Sequence, residues 1–262
     1  MPLFLNTPGK GMICMTLSDF FARHPRIALA FSGGVDSSYL LYAAIAAKAQ
    51  VQAYYLHSAF QPRFELEDAL ALASQVGASV TVLEADVLSD PAIAANPADR
   101  CYHCKKKMFS ALVERARADG YSAVADGTNA SDDASGRPGM KALEEFGVLS
   151  PLRLCGLTKD DIRRLSREAG LFTWDKPSYS CLATRIPAGT PLTAQLLERT
   201  ERAEDFLFSL GFSDFRVRTL GTAAKIELTE PQFVLMMERR AQVESELKKY
   251  YSSVLLSLEA RS

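Results

Sequence analysis

The sequence has no surplus of either charge. Lys and Arg number 30 against 31 Asp and Glu, for a net charge of −1. A general nucleic-acid coat needs a large basic excess, so no nucleic-acid partner is expected. Long apolar runs are also missing. The strongest near the start, Ser37 to Ala47, is uncharged for 11 residues, whereas a membrane helix needs about 20. The opening MPLFLNTPGKGMICMT has no basic stretch followed by a sustained apolar core, so it does not read as a secretory signal. These absences lead us to expect a cytoplasmic chain without a membrane partner. Cysteine is scarce, with five residues: Cys14, Cys101, Cys104, Cys155 and Cys181. An odd set in a reducing compartment favours metal binding or catalysis over disulfides. Histidine and tryptophan are rarer still. His24 and His57 have no nearby partner pattern and read as incidental. Trp174, the single tryptophan, reads equally as a stacking surface or as packing.

What is present is a globular composition. Hydrophobic residues make up 48% and charged residues 23%, which excludes a mostly disordered chain. A length of 262 residues suits one large or two modest domains and buries a core without staples. Residues 1–16 read as an extended or disordered lead-in. A helix over Leu17–Arg23 follows, with Ser18 as its expected cap. Arg26–Phe31 is a short apolar run ending in Gly-Gly, the pattern of a buried parallel strand entering a turn. Asp36–Ala49 is apolar, Ala-rich and free of breakers, and predicts a helix packed on a sheet. The alternation continues with a strand over Val51–Leu56, a helix over Phe64–Val76 and a strand over Ser79–Glu84. Asp99–Asp119 predicts a helix and Ala123–Ala125 a short strand. Thr158 caps a helix over Lys159–Ala169, with Gly170 just beyond it. Strands alternating with helices predict an α/β fold, a parallel sheet with helices on both faces.

Asp175–Pro191 is rich in Pro, Ser, Thr and Gly, and the texture changes after it. Thr193–Leu210 is a long amphipathic pattern ending at Gly211. Phe215–Arg218 and Ala224–Leu228 read as a hairpin turning at Leu220-Gly221. Pro231–Leu247 predicts a helix and Ser253–Leu258 a last strand. The expected division is residues 17–180 as the main α/β domain. Residues 181–262 form a smaller C-terminal α+β domain for substrate binding or oligomerisation.

The sharpest local signal is Ser32-Gly33-Gly34-Val35-Asp36-Ser37-Ser38, between a strand and a helix. Two glycines let the backbone turn tightly and approach a ligand. Free N–H groups at the helix start favour an anion, and three serines add hydroxyls. Asp36 opposes bare phosphate but suits phosphate that arrives with Mg²⁺. The loop lacks both the Walker lysine and the dinucleotide spacing. SGGVDSS resembles the PP-loop of the N-type ATP pyrophosphatases, which cleave ATP to AMP and pyrophosphate while adenylating an oxygen of their substrate. The resemblance implies a Rossmann-like, five-stranded parallel sheet. It also implies that Ser32, Gly33, Gly34, Asp36, Ser37 and Ser38 hold the pyrophosphate of ATP with Mg²⁺.

Further motifs narrow the resemblance. Asp126-Gly127-Thr128-Asn129 follows a short strand and suits a loop beside the nucleotide, through Gly127 and Thr128. Arg137-Pro138-Gly139, Ser150-Pro151-Leu152, Gly156-Leu157-Thr158-Lys159 and Trp174-Asp175-Lys176-Pro177-Ser178-Tyr179-Ser180-Cys181-Leu182-Ala183-Thr184-Arg185-Ile186-Pro187 follow. With Arg100-Cys101-Tyr102-His103-Cys104-Lys105, this set resembles the LarE family of ATP-dependent sulfur transferases of the nickel-pincer nucleotide pathway. The resemblance covers nearly the whole chain from about Met15. It implies adenylation of the carboxylates of pyridinium-3,5-biscarboxylic acid mononucleotide and their conversion to thiocarboxylates. It also implies a homo-oligomer. Some members give up the sulfur of the single cysteine at the Cys181 position. Others bind a [4Fe-4S] cluster through three cysteines, which here would be Cys101, Cys104 and Cys181. Sulfide or a cysteine desulfurase would be the sulfur donor.

Read from the residues themselves, Cys101 and Cys104 stand one helical turn apart and can face one metal. Three thiolates on a four-iron cluster leave one iron open. Three other readings stay open. One is zinc with His103, Cys155 or Cys181. Another is a redox pair relaying sulfur. The third is a structural pair with Cys181 alone sacrificial. Lys105, Lys106 and Lys107 either lower the thiol pKa values and draw an anionic substrate or form a solvated face. Cys155, in the apolar PLRLCGL, reads as a buried small hydrophobe at a strand end, and Cys14 is given no role.

The substrate needs cations. Arg216 and Arg218 alternate on an expected strand and so share a face, as suits phosphate or carboxylate. An ordinary ion-paired surface strand is the plain alternative. The resemblance points to the same arginines and to Glu204 on the preceding helix. Arg185 is a further candidate for steadying an acyl-adenylate. A tRNA thiolase, an amide-forming ligase and a non-catalytic nucleotide sensor or iron–sulfur scaffold are the competing functions.

Overall fold

A computed structural model describes residues 15–133 and 138–261. Cys14, Arg137 and the expected lead-in up to residue 14 lie outside the described residues. Four parallel strands, β1 (Arg26–Ala30), β2 (Gln50–His57), β3 (Val80–Glu84) and β4 (Val124–Ala125), form one sheet in the order β3-β2-β1-β4. Alternation along the strands sends side chains to two cores. Ile27, Leu29, Ala53 and Tyr55 pack with Phe20, Leu40, Leu72 and Ile162. Ala28, Tyr54 and Val124 pack instead with Leu112, Val113 and Ala116. The first face carries helices α1 (Leu17–Arg23), α2 (Val35–Ala46), α3 (Arg63–Gln75) and α8 (Lys159–Glu168), and the second carries α5 (Arg100–Ala118). The expected doubly covered parallel sheet is therefore what forms.

Three details differ from the sequence reading. Thr16 caps α1 in place of Ser18, because Asp19 three residues on completes a reciprocal capping box. The fifth strand reduces, among the described residues, to one parallel bridge between Ala125 and Leu149. The chain turns at Ser150 into the short helix α7 (Pro151–Leu154), and Pro151 has no amide to extend a ladder. Cys155 is thus the C-cap of a helical turn, half-buried, and not the end of a strand. The remaining short helices are α4 (Pro91–Ala94) and α6 (Pro138–Glu145).

A second, smaller sheet follows, with β5 (Arg216–Leu220), β6 (Ala223–Glu227) and β7 (Ser253–Leu256) in that order. β5 and β6 form the expected antiparallel hairpin, with Gly221 at φ +59 in the turn. β7 pairs parallel to β6 after crossing through α10 (Phe233–Leu247). With α9 (Ala194–Ser209), these elements enclose Leu207, Phe212, Phe215, Val217, Ile226 and Leu247. A third apolar cluster joins Phe60, Val87, Ile93 and Met108 to Leu182, Ile186, Leu192 and Leu197, with Cys104 and Cys181 packed against it.

Candidate active site

All four strands of the main sheet are parallel, so their carboxyl ends lie on one edge. The neighbour of β1 is β2 on one side and β4 on the other. That reversal is where open α/β sheets bind ligands. The loop 32–38 leaves β1 at this point. The Ser32 amide donates to Ser37 Oγ at 3.2 Å, and the Ser37 hydroxyl donates to the Gly34 carbonyl at 3.3 Å. Gly33 has φ +71, and a Cβ there would stand 2.7 Å from Ala69 Cβ on α3. Only glycine lets the loop lie this close to the helix. A Cβ on Gly127 would likewise come within 2.9 Å of the Ser37 amide, so the loop after β4 abuts the start of α2.

Asp36 sits between these loops. Its Oδ1 accepts from Asn129 Nδ2 at 3.2 Å, and its Oδ2 lies 2.7 Å from Lys159 Nζ. Asp126 accepts from the Thr128 hydroxyl at 2.6 Å and the Ser150 hydroxyl at 2.8 Å, which shapes the Gly127-Thr128 turn. The Ser38 hydroxyl is buried without a hydrogen-bond partner among the described residues. Expected loop residues 32–38, Gly127 and Thr128 therefore come together. Asn129 and Lys159, which lie within two of the sequence motifs, thus join the loop through Asp36.

The Cys181 loop is pinned to the same edge. The Leu182 amide donates to the carbonyl of Phe60, in the segment after β2, at 2.9 Å. Cys101 is exposed, while Cys104 and Cys181 are half-buried. All three thiols act electrostatically on one another. Burial pushes the Cys104 thiol up to about 12 and raises that of Cys181. Of the two readings of the lysine run, a net lowering of the thiol pKa values does not hold for these two, because desolvation outweighs the cations. Lys106 instead pairs with Glu145 at 3.4 Å, and Lys107 donates to Ser89 at 3.1 Å. Among the described residues no group of three His, Cys, Asp or Glu side chains is placed to hold a single metal ion. His103 turns to Asp99 at 3.2 Å.

The arginines support this loop. Arg185 is closed to solvent and pairs with buried Glu204 at 2.8 Å. It also donates to the Ser180 carbonyl at 2.9 Å. Glu204 further accepts from the Val217 amide at 2.9 Å and from the Tyr179 hydroxyl. Arg216 and Arg218 do share a face of β5. Arg216 donates to the Ser178 carbonyl at 2.6 Å and Arg218 to the Thr184 carbonyl at 2.9 Å, so both grip the loop that bears Cys181. Burial lowers the Arg216 pKa to about 10, with the nearby Arg185 and Arg261 charges adding to the shift. Arg218 keeps 39% of its side chain exposed and pairs with Glu227 at 2.6 Å.

Two further groups were missed by sequence reading. Glu65 on α3 is pushed up to about 7 by burial, against the opposing pull of Lys176, Arg185 and Arg216. Nothing in its local sequence marks it. His57, read as incidental, pairs with Glu84 at 2.9 Å, because β2 and β3 set the two side by side. His57 and Glu84 line a cavity of about 340 Å³ at the strand ends, with Gln61, Arg63, Asp86 and Glu201. Trp174 packs under the Arg167 guanidinium, 4.9 Å from its ring.

A parallel sheet with a Gly-Gly loop at its reversal point, an acid on the first turn of the next helix and a smaller α+β unit beside it fits the Rossmann-like PP-loop fold. Comparison with known proteins carries this further. No protein-family model matches the chain. The chain is 38% identical over 207 residues to the pyridinium-3,5-bisthiocarboxylic acid mononucleotide synthase of Lactiplantibacillus plantarum, covering 78% of this chain and 75% of that one. It is also 38% identical over 219 residues to an uncharacterized protein of Synechocystis, covering 82% and 81% of the two chains. An uncharacterized protein of Methanocaldococcus jannaschii is 28% identical over 238 residues, covering 90% and 91%. The chain belongs to the LarE family, that of the Lactiplantibacillus synthase.

No helix among the described residues is long and apolar enough to cross a membrane.

Proposed function

We propose that this chain is an ATP-dependent sulfur transferase of nickel-pincer nucleotide synthesis. It adenylates the carboxylates of pyridinium-3,5-biscarboxylic acid mononucleotide and converts them to thiocarboxylates. The observation that carries this reading is the 38% identity with the Lactiplantibacillus synthase over most of both chains. The loop geometry supports it. A carboxylate oxygen of the substrate attacks the α-phosphorus of ATP, pyrophosphate leaves, and an acyl-adenylate forms. The amides and hydroxyls of residues 32–38 receive the pyrophosphate. Asp36 would hold Mg²⁺ on the phosphates, releasing Lys159 to pair with them. Sulfur then displaces AMP from the activated carbonyl, because adenylation has made the carboxyl oxygen a good leaving group. Arg218, the more open of the two strand arginines, meets the substrate's phosphate, while Arg216, Arg185 and Glu204 hold the Cys181 loop. Residues 181–262 serve as the substrate-binding and oligomerisation part of a cytoplasmic homo-oligomer.

Cys101, Cys104 and Cys181 would hold a [4Fe-4S] cluster. Their fit rests on three free thiols that interact electrostatically, two of them against one apolar cluster. Soft thiolates suit iron–sulfur ligation. When bound, such a cluster supplies an exchangeable sulfide at the iron that lacks a protein ligand. Sulfide or a cysteine desulfurase would replenish it. The second reading keeps the reaction but spends the Cys181 sulfur.

Two measurements test these readings. With ATP, Mg²⁺, the pyridinium mononucleotide and sulfide, the protein should form AMP and pyrophosphate in step with thiocarboxylate, and ADP as product would overturn adenylation. Iron and sulfide content after anaerobic reconstitution should be high in wild type and reduced in Cys181→Ala. A colourless, iron-free wild type, with dehydroalanine at position 181 after turnover, would select the sacrificial reading.

A further inference from the structure

The two-cysteine helix and the Cys181 loop are far apart in sequence, and something must set their spacing. α5 opens at Arg100, whose side chain turns inward and is 7% exposed. Its Nη1 donates to the Ala183 carbonyl at 2.9 Å and to Asn96 Oδ1 at 2.8 Å. Its Nη2 lies 3.5 Å from Cys101 Sγ. The guanidinium also rests over the ring of Phe60, 5.9 Å from its centroid. The Phe60 carbonyl holds the Leu182 amide, so Arg100 meets the Cys181 loop through two neighbouring residues.

Asn96 completes the clamp. It is 1% exposed and adopts φ +54, a conformation asparagine tolerates better than most residues. Its Nδ2 donates to the Pro187 carbonyl at 2.9 Å and the Thr190 carbonyl at 3.1 Å. Its own carbonyl accepts from the Gly189 amide at 2.7 Å. Arg100 and Asn96 therefore fasten the start of α5 to the segment that follows Cys181.

We propose that Arg100 is the positioning residue that makes Cys101, Cys104 and Cys181 one ligand set. Its forked guanidinium joins α5 to the Cys181 loop and sets a cation 3.5 Å from the Cys101 sulfur of that set. This inference rests on the cluster reading for its electrostatic half and on geometry alone for its positioning half. Anionic thiolates against an apolar cluster need a nearby cation. Arginine stays charged and reaches two acceptors and a sulfur at once, which a lysine ammonium on a single stem cannot match.

The test uses wild type, Arg100→Gln and Arg100→Lys. Each iron-free protein is treated with dibromobimane, a short bifunctional thiol reagent, and the bridged pairs are read by peptide mass spectrometry. The Cys101–Cys104 bridge lies within one helical turn and is the internal reference. Relative to it, bridges to Cys181 should form about tenfold more slowly in Arg100→Gln, with a smaller loss in Arg100→Lys. A wild-type ratio in a folded Arg100→Gln overturns the positioning role. If that variant does not fold, Arg100→Lys decides, and a wild-type ratio there overturns the forked contact. After reconstitution, the midpoint potential should fall in the glutamine variant and stay near wild type in the lysine variant, because a cation beside the thiolates favours the more reduced, more anionic state. An iron-free wild type would defeat the cluster reading and leave the cross-linking result standing.

Discussion

Arg185 and Glu204 form an ion pair of 2.8 Å in which both side chains are essentially closed to solvent, at 0% and 1% exposure. The pair lies beneath the Cys181 loop and ties it to β5, since Arg185 donates to the Ser180 carbonyl and Glu204 accepts from the Val217 amide. Removing one partner leaves the other charged and buried. Glu204→Ala should therefore cost about 3–5 kcal/mol in urea unfolding. The double variant Arg185→Met, Glu204→Leu should recover much of it. A single-variant loss below about 1 kcal/mol would show that the pair does not brace the loop.

Gly33→Ala and Gly34→Ala should differ sharply. At position 33 the new Cβ meets Ala69 at 2.7 Å and the backbone holds φ +71, whereas at 34 the nearest atom is Ser32 Oγ at 3.5 Å. The first substitution should destabilise by about 1–3 kcal/mol and abolish pyrophosphate release. The second should change the thermal midpoint little. Equal midpoints for the two would contradict the packing of the loop on α3.

Glu65 should make stability fall with pH. Its folded pKa of about 7 lies above the ordinary glutamate value of 4.5, chiefly through burial. The folded state holds the proton more tightly, so the group is harmless below the lower value. Its ionisation then costs the fold increasingly as pH rises through the interval. Glu65→Gln should be more stable than wild type at pH 8 by up to about 3 kcal/mol, with the difference closing at pH 4.5. A gap that does not narrow on acidification would remove the burial argument.

The thiols should alkylate in order of exposure. Cys101 is exposed, whereas burial holds the Cys104 thiol up to about 12. In the iron-free protein, iodoacetamide at pH 8 should label Cys101 first and Cys104 slowly, with the Cys104 rate still rising above pH 9. Equal rates by peptide mapping would mean that Cys104 is not desolvated.

Asp36→Asn should separate activity from stability. The Asp36–Lys159 pair is partly exposed on both sides, at 24% and 31%, so its loss should cost no more than about 1 kcal/mol. AMP formation should nonetheless fall at least about a hundredfold if the carboxylate holds Mg²⁺ on the triphosphate. Undiminished turnover at saturating Mg²⁺ would place the metal elsewhere.

Local chemistry was legible in the sequence. The apolar run at Arg26 marked a buried parallel strand, and Thr158 with Asp161 formed the expected cap. Gly33 was where a strand had to turn onto a helix start, and the alternation of Arg216 and Arg218 did place both on one face. These features depend on neighbours within a few residues. The failures were where distant or slightly offset partners decide. Thr16 displaced Ser18 as a cap because a reciprocal bond was available, and Leu149 made one bridge because proline followed it. His57 found Glu84 only through the register of two strands.

The sequence by itself therefore determined the alternating α/β pattern, the Gly-Gly loop between strand and helix, the cysteine spacing and the family. Each is written in contiguous residues whose backbone preferences and periodicity act locally. Only the tertiary structure decided that Arg185 pairs inward with Glu204, that burial and not the lysine run governs Cys104 and Cys181, and that Arg100 bridges α5 to the Cys181 loop. Those outcomes depend on desolvation and on side chains meeting across long stretches of chain, 83 residues in the case of Arg100 and Ala183, and no local pattern encodes either.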